Sequence, residues 1–207
     1  MSQEVYEMIK RMDREKIETH LVIQCAPMIS GIKISNLLIV ERSMTAQVRR
    51  VLNRSGISWF LLLENEEKVT YLLYCKEELE DYLKEKNVCQ SMKRFGYENL
   101  DLSVVLSQFQ KRYESYMSQR GGFPHEMGLL LGYPVEDVEG FIENQGRNYL
   151  YSGYWKVYGH VEEKVALFEQ YEEARKLLLQ FLAKGFCVKD MIAESRKQLV
   201  LTAGCVA

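Results

Sequence analysis

Proline is scarce in this chain: three residues in 207, at positions 27, 124 and 134, with no stretch rich in serine or glycine. A disordered segment or a long flexible linker has a different composition. Charge of one sign is not in excess either, since 27 Lys and Arg face 29 Asp and Glu for a formal net charge of −2. Nucleic-acid-binding domains carry a basic face or a surplus of Lys and Arg. The basic clusters here (Arg49–Arg50, Lys93–Arg94, Lys111–Arg112) are short and read as solvated surface, so nucleic acid is not an expected partner.

Long apolar runs are lacking. The longest, Trp59 to Leu63, falls far below the roughly 20 residues that span a bilayer, and no membrane partner is expected. The N-terminal segment MSQEVYEMIKRMDREK has no apolar core of the signal-peptide kind. Five cysteines (Cys25, Cys75, Cys89, Cys187, Cys205) make an odd number without a CxxC pair. Together these features predict free thiols and a cytoplasmic location. GxGxxG, Walker GxxxxGK[ST] and GxSxG patterns are all missing, so dinucleotide, P-loop and serine-hydrolase readings lose their usual support and no cofactor is assigned. His125-Glu126 does not open an HExxH motif, because Leu129 stands four residues after His125. Metal binding through Cys25, His125 and His160 would require distant residues to converge, and no His–Cys pair has structural-zinc spacing. No metal is assigned.

What remains is ordinary globular material, 47% hydrophobic and 27% charged. Its length corresponds to one domain, able to bury roughly 70% of the surface of the unfolded chain. We expect a single α+β domain over 1–207, with 185–207 as a peripheral C-terminal extension. Val5, Met8, Ile9 and Met12 repeat at helical spacing. Asp13 is placed to cap a second helix carrying Ile17, His20 and Leu21, which should end at or before Pro27 and leave Cys25 near its C-terminus. Lys33 to Val40 reads as a strand, and a helix over about Thr45–Arg54 stops at Ser55–Gly56. Ile57–Leu63 and Val69–Cys75 form a hairpin around Glu64–Lys68; both runs lack clean alternation, which predicts central strands covered on both faces. Two apolar stripes, Leu102 to Met117 and Leu167 to Phe181, are helical packing faces, the second ended by Gly185.

Between the stripes, Pro124 and Pro134 suit helix starts followed by acidic residues, and Gly132 and Gly146 suit left-handed helix ends. The spacing predicts helices over about 124–131 and 135–144, then a strand, Tyr149–Tyr158. Alternation along that strand places Tyr154, Lys156 and Tyr158 on one face and Trp155 and Val157 on the other. His160 then begins the long C-terminal helix. The result is a small, mainly antiparallel sheet of about four strands packed with several helices.

Certain segments are distinctive: Cys25-Ala26-Pro27 with Gly31-Ile32-Lys33 and Asn36-Leu37, Phe123-Pro124-His125-Glu126 through Gly132-Tyr133-Pro134, Asp137-Val138, Gly140 to Asn144, and Gly153-Tyr154-Trp155-Lys156-Val157-Tyr158. In these the chain resembles a family catalogued as domain of unknown function 3793, found mainly in anaerobic Gram-positive bacteria. The likeness extends over about the first 160 residues. It implies no established activity, ligand or catalytic residue. One departure is Gln24, where the family pattern leads us to expect a histidine before Cys-Ala-Pro.

Three readings of function follow from these residues. The leading one is a cytoplasmic small-molecule-binding protein, with a pocket built from the 25–36, 123–132 and 153–158 segments. Tyr133, Tyr154, Trp155 and Tyr158 offer flat faces with polar tips, while Lys33, Asn36 and Lys156 offer polar contacts, which together suit a flat anionic ligand. The alternative is a thiol-dependent hydrolase or acyltransferase, with Cys25 as nucleophile, His125 as base and Glu126, Glu143 or Asn144 to hold the imidazole. A cysteine at a helix C-terminus is electrostatically poor for that work. The third is a protein–protein adaptor using an uncovered apolar helix face. Gly121-Gly122 reads as a hinge. The oligomeric state is not legible.

Overall fold

The computed structural model describes residues 3–203, so Cys205 lies outside the described residues. Its ten helices and five strands follow in the order α1 (Gln3–Lys10), α2 (Ile17–Ile29), β1 (Ser35–Glu41), α3 (Thr45–Ser55), β2 (Ser58–Glu64), β3 (Lys68–Tyr74), α4 (Lys76–Lys84), α5 (Lys86–Arg94), α6 (Leu102–Met117), α7 (Glu126–Leu130), α8 (Val135–Glu143), β4 (Tyr151–Ser152), β5 (Lys156–Val157), α9 (Val161–Ala183) and α10 (Val188–Ala203). The architecture is α+β. Among the described residues no helix is long and apolar enough to cross a membrane.

The main sheet is antiparallel in the order β1-β3-β2, with Ser35 opposite Tyr74 and Glu41 opposite Lys68. Strand alternation sorts β3 between two cores. Val69, Tyr71 and Leu73 join α2, α3, α9 and α10 in one, while Leu72 joins α4, α5, α6 and α7 in the other. Helices on both faces explain why the strands read as continuous apolar runs. The expectation that both hairpin strands are central holds for β3 alone. β2 is an edge strand, because β1 pairs along the far side of β3. Composition cannot distinguish these places, since helices bury the β2 faces as well.

Both sheet edges are closed by side-chain amides. Gln24 on α2 donates to the Ile39 carbonyl and accepts from its N–H, each at 2.9 Å. On the other side Gln110 of α6 donates to the Leu61 carbonyl at 2.9 Å. Such contacts occupy backbone groups that would otherwise template a further strand.

Pro27 does not end α2; the helix continues to Ile29. A proline removes one intrahelical hydrogen bond, but Cys25 through Ile29 are all buried, and their packing holds the last turn in place. Cys25 therefore lies within α2, four residues from its C-terminal end as expected. Asp13 does not cap α2 by a side-chain bond: its Oδ1 accepts from the Glu15 N–H, and Lys16 is the cap residue.

The expected strand over 149–158 is instead two short strands, β4 and β5, joined by a turn in which the Gly153 N–H donates to the Trp155 carbonyl at 3.0 Å. A Cβ at Gly153 would stand 2.3 Å from the Phe168 ring of α9, so only glycine lets the chain reverse against that helix. Helices α7 and α8 fall close to expectation, separated by Gly132 at φ 70. His160 caps α9, and Gly185, at φ 83, follows it. In α10, Val188 and Met191 are buried in the first core.

Candidate functional site

The hairpin that replaces the expected long strand creates a cavity. Tyr154 and Trp155 sit in its turn, so they escape strict alternation and line the same space as Lys156. Helix α7 and the residues before it contribute Phe123, His125 and Gly128, and α8 contributes Asp137 and Phe141. The volume is about 240 Å³. α7 and α8 can approach closely because Gly128 has no side chain; a Cβ there would lie 2.7 Å from Val138. Gly140 does the same for the hairpin, since its Cβ would lie 2.6 Å from the Tyr158 ring.

Asp137 ties the hairpin to α8. It is 2% exposed, its Oδ2 accepting from the Trp155 indole N–H and its Oδ1 from the Tyr158 backbone N–H, both at 2.7 Å. These charge-assisted bonds fix the indole as a rigid wall. Tyr133 stacks on that indole with centroids 4.7 Å apart, and Phe168 of α9 meets it edge-on at 4.5 Å. On the opposite side His125 lies between Phe123 and Phe141, at 5.2 and 5.8 Å. Lys156 donates to the Gly146 carbonyl at 2.6 Å and lies over the Tyr149 and Phe141 rings. It forms no salt bridge with a described residue.

The 25–36 segment backs this cavity without lining it. Lys33 is 7% exposed and donates to the Ser35 carbonyl at 2.9 Å and to Asn36 Oδ1 at 3.0 Å. Its ammonium sits 5.3 Å from the centroid of the Tyr133 ring, on the cation–π side of a wall residue. Burial pulls the amine down from its usual 10.5 to about 8, opposed by Cys25. Asn36 bridges the group, donating to the Gln24 carbonyl at 2.7 Å and reaching Cys25 Sγ at 3.7 Å. Ser35 donates its hydroxyl to the Leu130 carbonyl and so fastens β1 to α7.

Cys25 is fully buried, and burial pushes its thiol up to about 12 despite Lys33 and Asn36 nearby. Desolvation is the main cause. Such a thiol is protonated at neutral pH, whereas nucleophilic cysteines need thiolate character and access. Its polar neighbours are Lys33, Asn36 and the Leu37 carbonyl, while the ring neighbours of His125 are Phe123 and Phe141. Glu126 holds neither of them. It is buried against the Tyr97 hydroxyl and Arg112, each 3.0 Å from Oε1. Glu143 is exposed, and Asn144 donates back to the Gly140 carbonyl. Cys25, His125 and His160 form no metal-ligand group among the described residues.

Of the expected site residues, His125, Tyr133, Tyr154, Trp155 and Lys156 thus share one cavity, and Lys33 and Asn36 stand behind its Tyr133 wall. Tyr158 packs against α8 instead. The sequence reading placed Phe123 within a pocket segment but missed Asp137 as the tether and Phe141 as a wall. Asp137 carried a signal of a kind, an acid in the first turn of α8, but that pattern ordinarily reports the helix dipole.

Fold and site therefore define an α+β protein with a preformed aromatic cavity between two short helices and a hairpin. The family model described as "Protein of unknown function (DUF3793)" matches residues 21–192, so the chain belongs to that family. No curated protein and no solved structure matches the chain.

Proposed function

We propose that the protein binds a small, flat molecule bearing an anionic substituent in this aromatic cavity, and that it does so in the cytoplasm. The observation that carries the reading is the cavity's composition: stacked rings with one cation, Lys156, that lacks a carboxylate partner among the described residues. Rings accept a planar ligand face-on or edge-on, and an ammonium meets a carboxylate or phosphate with a short, strong hydrogen bond. Asp137 does not oppose the anion strongly, because both its oxygens are occupied by N–H donors. At about 240 Å³ the space suits one or two rings, below the usual drug-sized pocket of roughly 300–1,000 Å³. A reducing compartment is supported by Cys25, Cys89 and Cys187, which carry free thiols.

The test uses the protein's own reporter. Trp59 and Trp155 are the two tryptophans, and Trp59→Phe leaves Trp155 alone to signal. Titration with 4-nitrobenzoate, a flat anion that quenches indoles, is expected to give saturable quenching. Lys156→Gln should weaken it about ten-fold, the worth of one charge-assisted bond. Quenching that rises linearly without saturation, or that ignores Lys156, refutes the reading.

A further inference from the structure

Glu126 stands at the start of α7 with 2% exposure, yet only one of its oxygens is engaged. Oε1 accepts from both the Tyr97 hydroxyl and Arg112 Nη1. Oε2 has no partner among the described residues. It is not one of the fully enclosed polar atoms left without a partner, so this oxygen keeps a little exposure on an otherwise buried side chain. An acceptor so placed is open to a donor from outside the chain.

That place is a second cavity of about 350 Å³, between α6 and the segment 121–126, which Glu126 lines together with Arg112, Phe95, Phe123 and His125. It shares the Phe123 and His125 rings with the aromatic cavity but has different chemistry. Arg112 is held over the Tyr97 ring at 4.8 Å and spends Nη1 on Glu126, which leaves its other N–H groups without a partner among the described residues. Its side chain is 37% exposed. An acceptor and a set of donors thus lie side by side, and their charges cancel. An occupant needs no net charge: it needs a donor beside an acceptor, with an apolar body to meet the rings.

We propose that this second cavity binds the carboxamide edge of a small ring-bearing molecule, the amide N–H donating to Glu126 Oε2 and the amide carbonyl accepting from Arg112. The reading is independent of the aromatic cavity. A carboxylate in the same place would set a second acceptor against Glu126, and an ammonium would set a cation beside Arg112. Buried sites built for a specific donor–acceptor pair reject analogues that leave one side unpaired.

The experiment is a set of amide-resolved NMR titrations of the full chain with benzamide, benzoate and benzylamine. The backbone amides of Gly121 and Gly122 report this cavity, and the Trp155 indole N–H reports the other. Benzamide is expected to shift Gly121 and Gly122 saturably and to bind about ten-fold or more tighter there than the other two probes. Glu126→Gln, which presents an amide N–H in place of Oε2, should erase that preference. Should this variant fold poorly, Arg112→Lys tests the carbonyl half, because a point charge cannot reproduce the guanidinium fork. The wild-type ranking stands without either variant. Equal affinity for the three probes at Gly121 and Gly122 overturns the proposal, as do shifts confined to Trp155. The second result would still leave the aromatic cavity supported.

Discussion

Replacing Asp137 should cost more than any other polar substitution near the cavity, and the size of the loss follows from its two bonds. Alanine leaves the Trp155 indole N–H and the Tyr158 backbone N–H buried without an acceptor. Each hydrogen bond to a charged group is worth about 1.5–3 kcal/mol, so Asp137→Ala, which loses two, should lose about 3–6 kcal/mol. Asparagine retains one oxygen and turns an NH₂ toward the other donor, so Asp137→Asn should lose about half as much. Urea unfolding followed through Trp155 in a Trp59→Phe background measures both, the midpoint shifting while the slope stays constant. The folded Asp137→Asn protein should also bind 4-nitrobenzoate more weakly, because one of the two bonds that hold the hairpin and its indole against α8 is lost. An Asp137→Asn variant within about 0.5 kcal/mol of wild type, the ordinary range for surface changes, would show that the carboxylate does not anchor the hairpin.

Lys33 predicts a pH dependence. Its amine falls from 10.5 to about 8 on folding, so between those values the unfolded chain holds the extra proton and stability rises with pH. Below about pH 8 the full penalty of about 3 kcal/mol is present; the wild-type minus Lys33→Met stability difference, measured by urea unfolding from pH 7 to 9.5, should move in favour of the wild type as pH rises, and a flat difference contradicts the burial argument. Cys25, buried and pushed up to about 12, should resist iodoacetamide in the native state while exposed Cys187 reacts, and the two should converge in urea. Fast native labelling of Cys25 would revive a thiol mechanism. Gly140→Ala forces a Cβ to 2.6 Å from the body of the Tyr158 ring and should destabilise by about 1–3 kcal/mol; a neutral result would mean the hairpin can retreat from α8 freely.

The wall of the cavity formed by α7 and α8 was legible because its punctuation is local. Pro134 and Gly132 act on their own backbone, so the two helices could be placed within about two residues from sequence alone. The hairpin was not, because what breaks the strand at Gly153 is the Phe168 ring of a distant helix. Pro27 misled for a similar reason: the local penalty is real, but burial of five successive residues outweighs it. Helices α4 and α5 went unremarked in the sequence. Both are short, and their buried positions, Leu79, Leu83, Val88 and Met92, are spread over two segments, with no single long stripe. Residue types were a fair guide to the cavity rings, since His125, Tyr133, Trp155 and Lys156 all line or wall it. The bonds that make it rigid were not readable. Asp137 and the Tyr97–Glu126–Arg112 group depend on contacts made across 14 to 29 positions.

The most direct test of the binding reading is a search for intermolecular NOEs between 4-nitrobenzoate and the protein. Cross-peaks from the ligand ring to Phe141, Tyr133 and the Trp155 indole, at ligand concentrations that saturate the quenching, are the predicted result. Saturable binding with cross-peaks only to residues outside the aromatic cavity, or none to the protein at all, would contradict it.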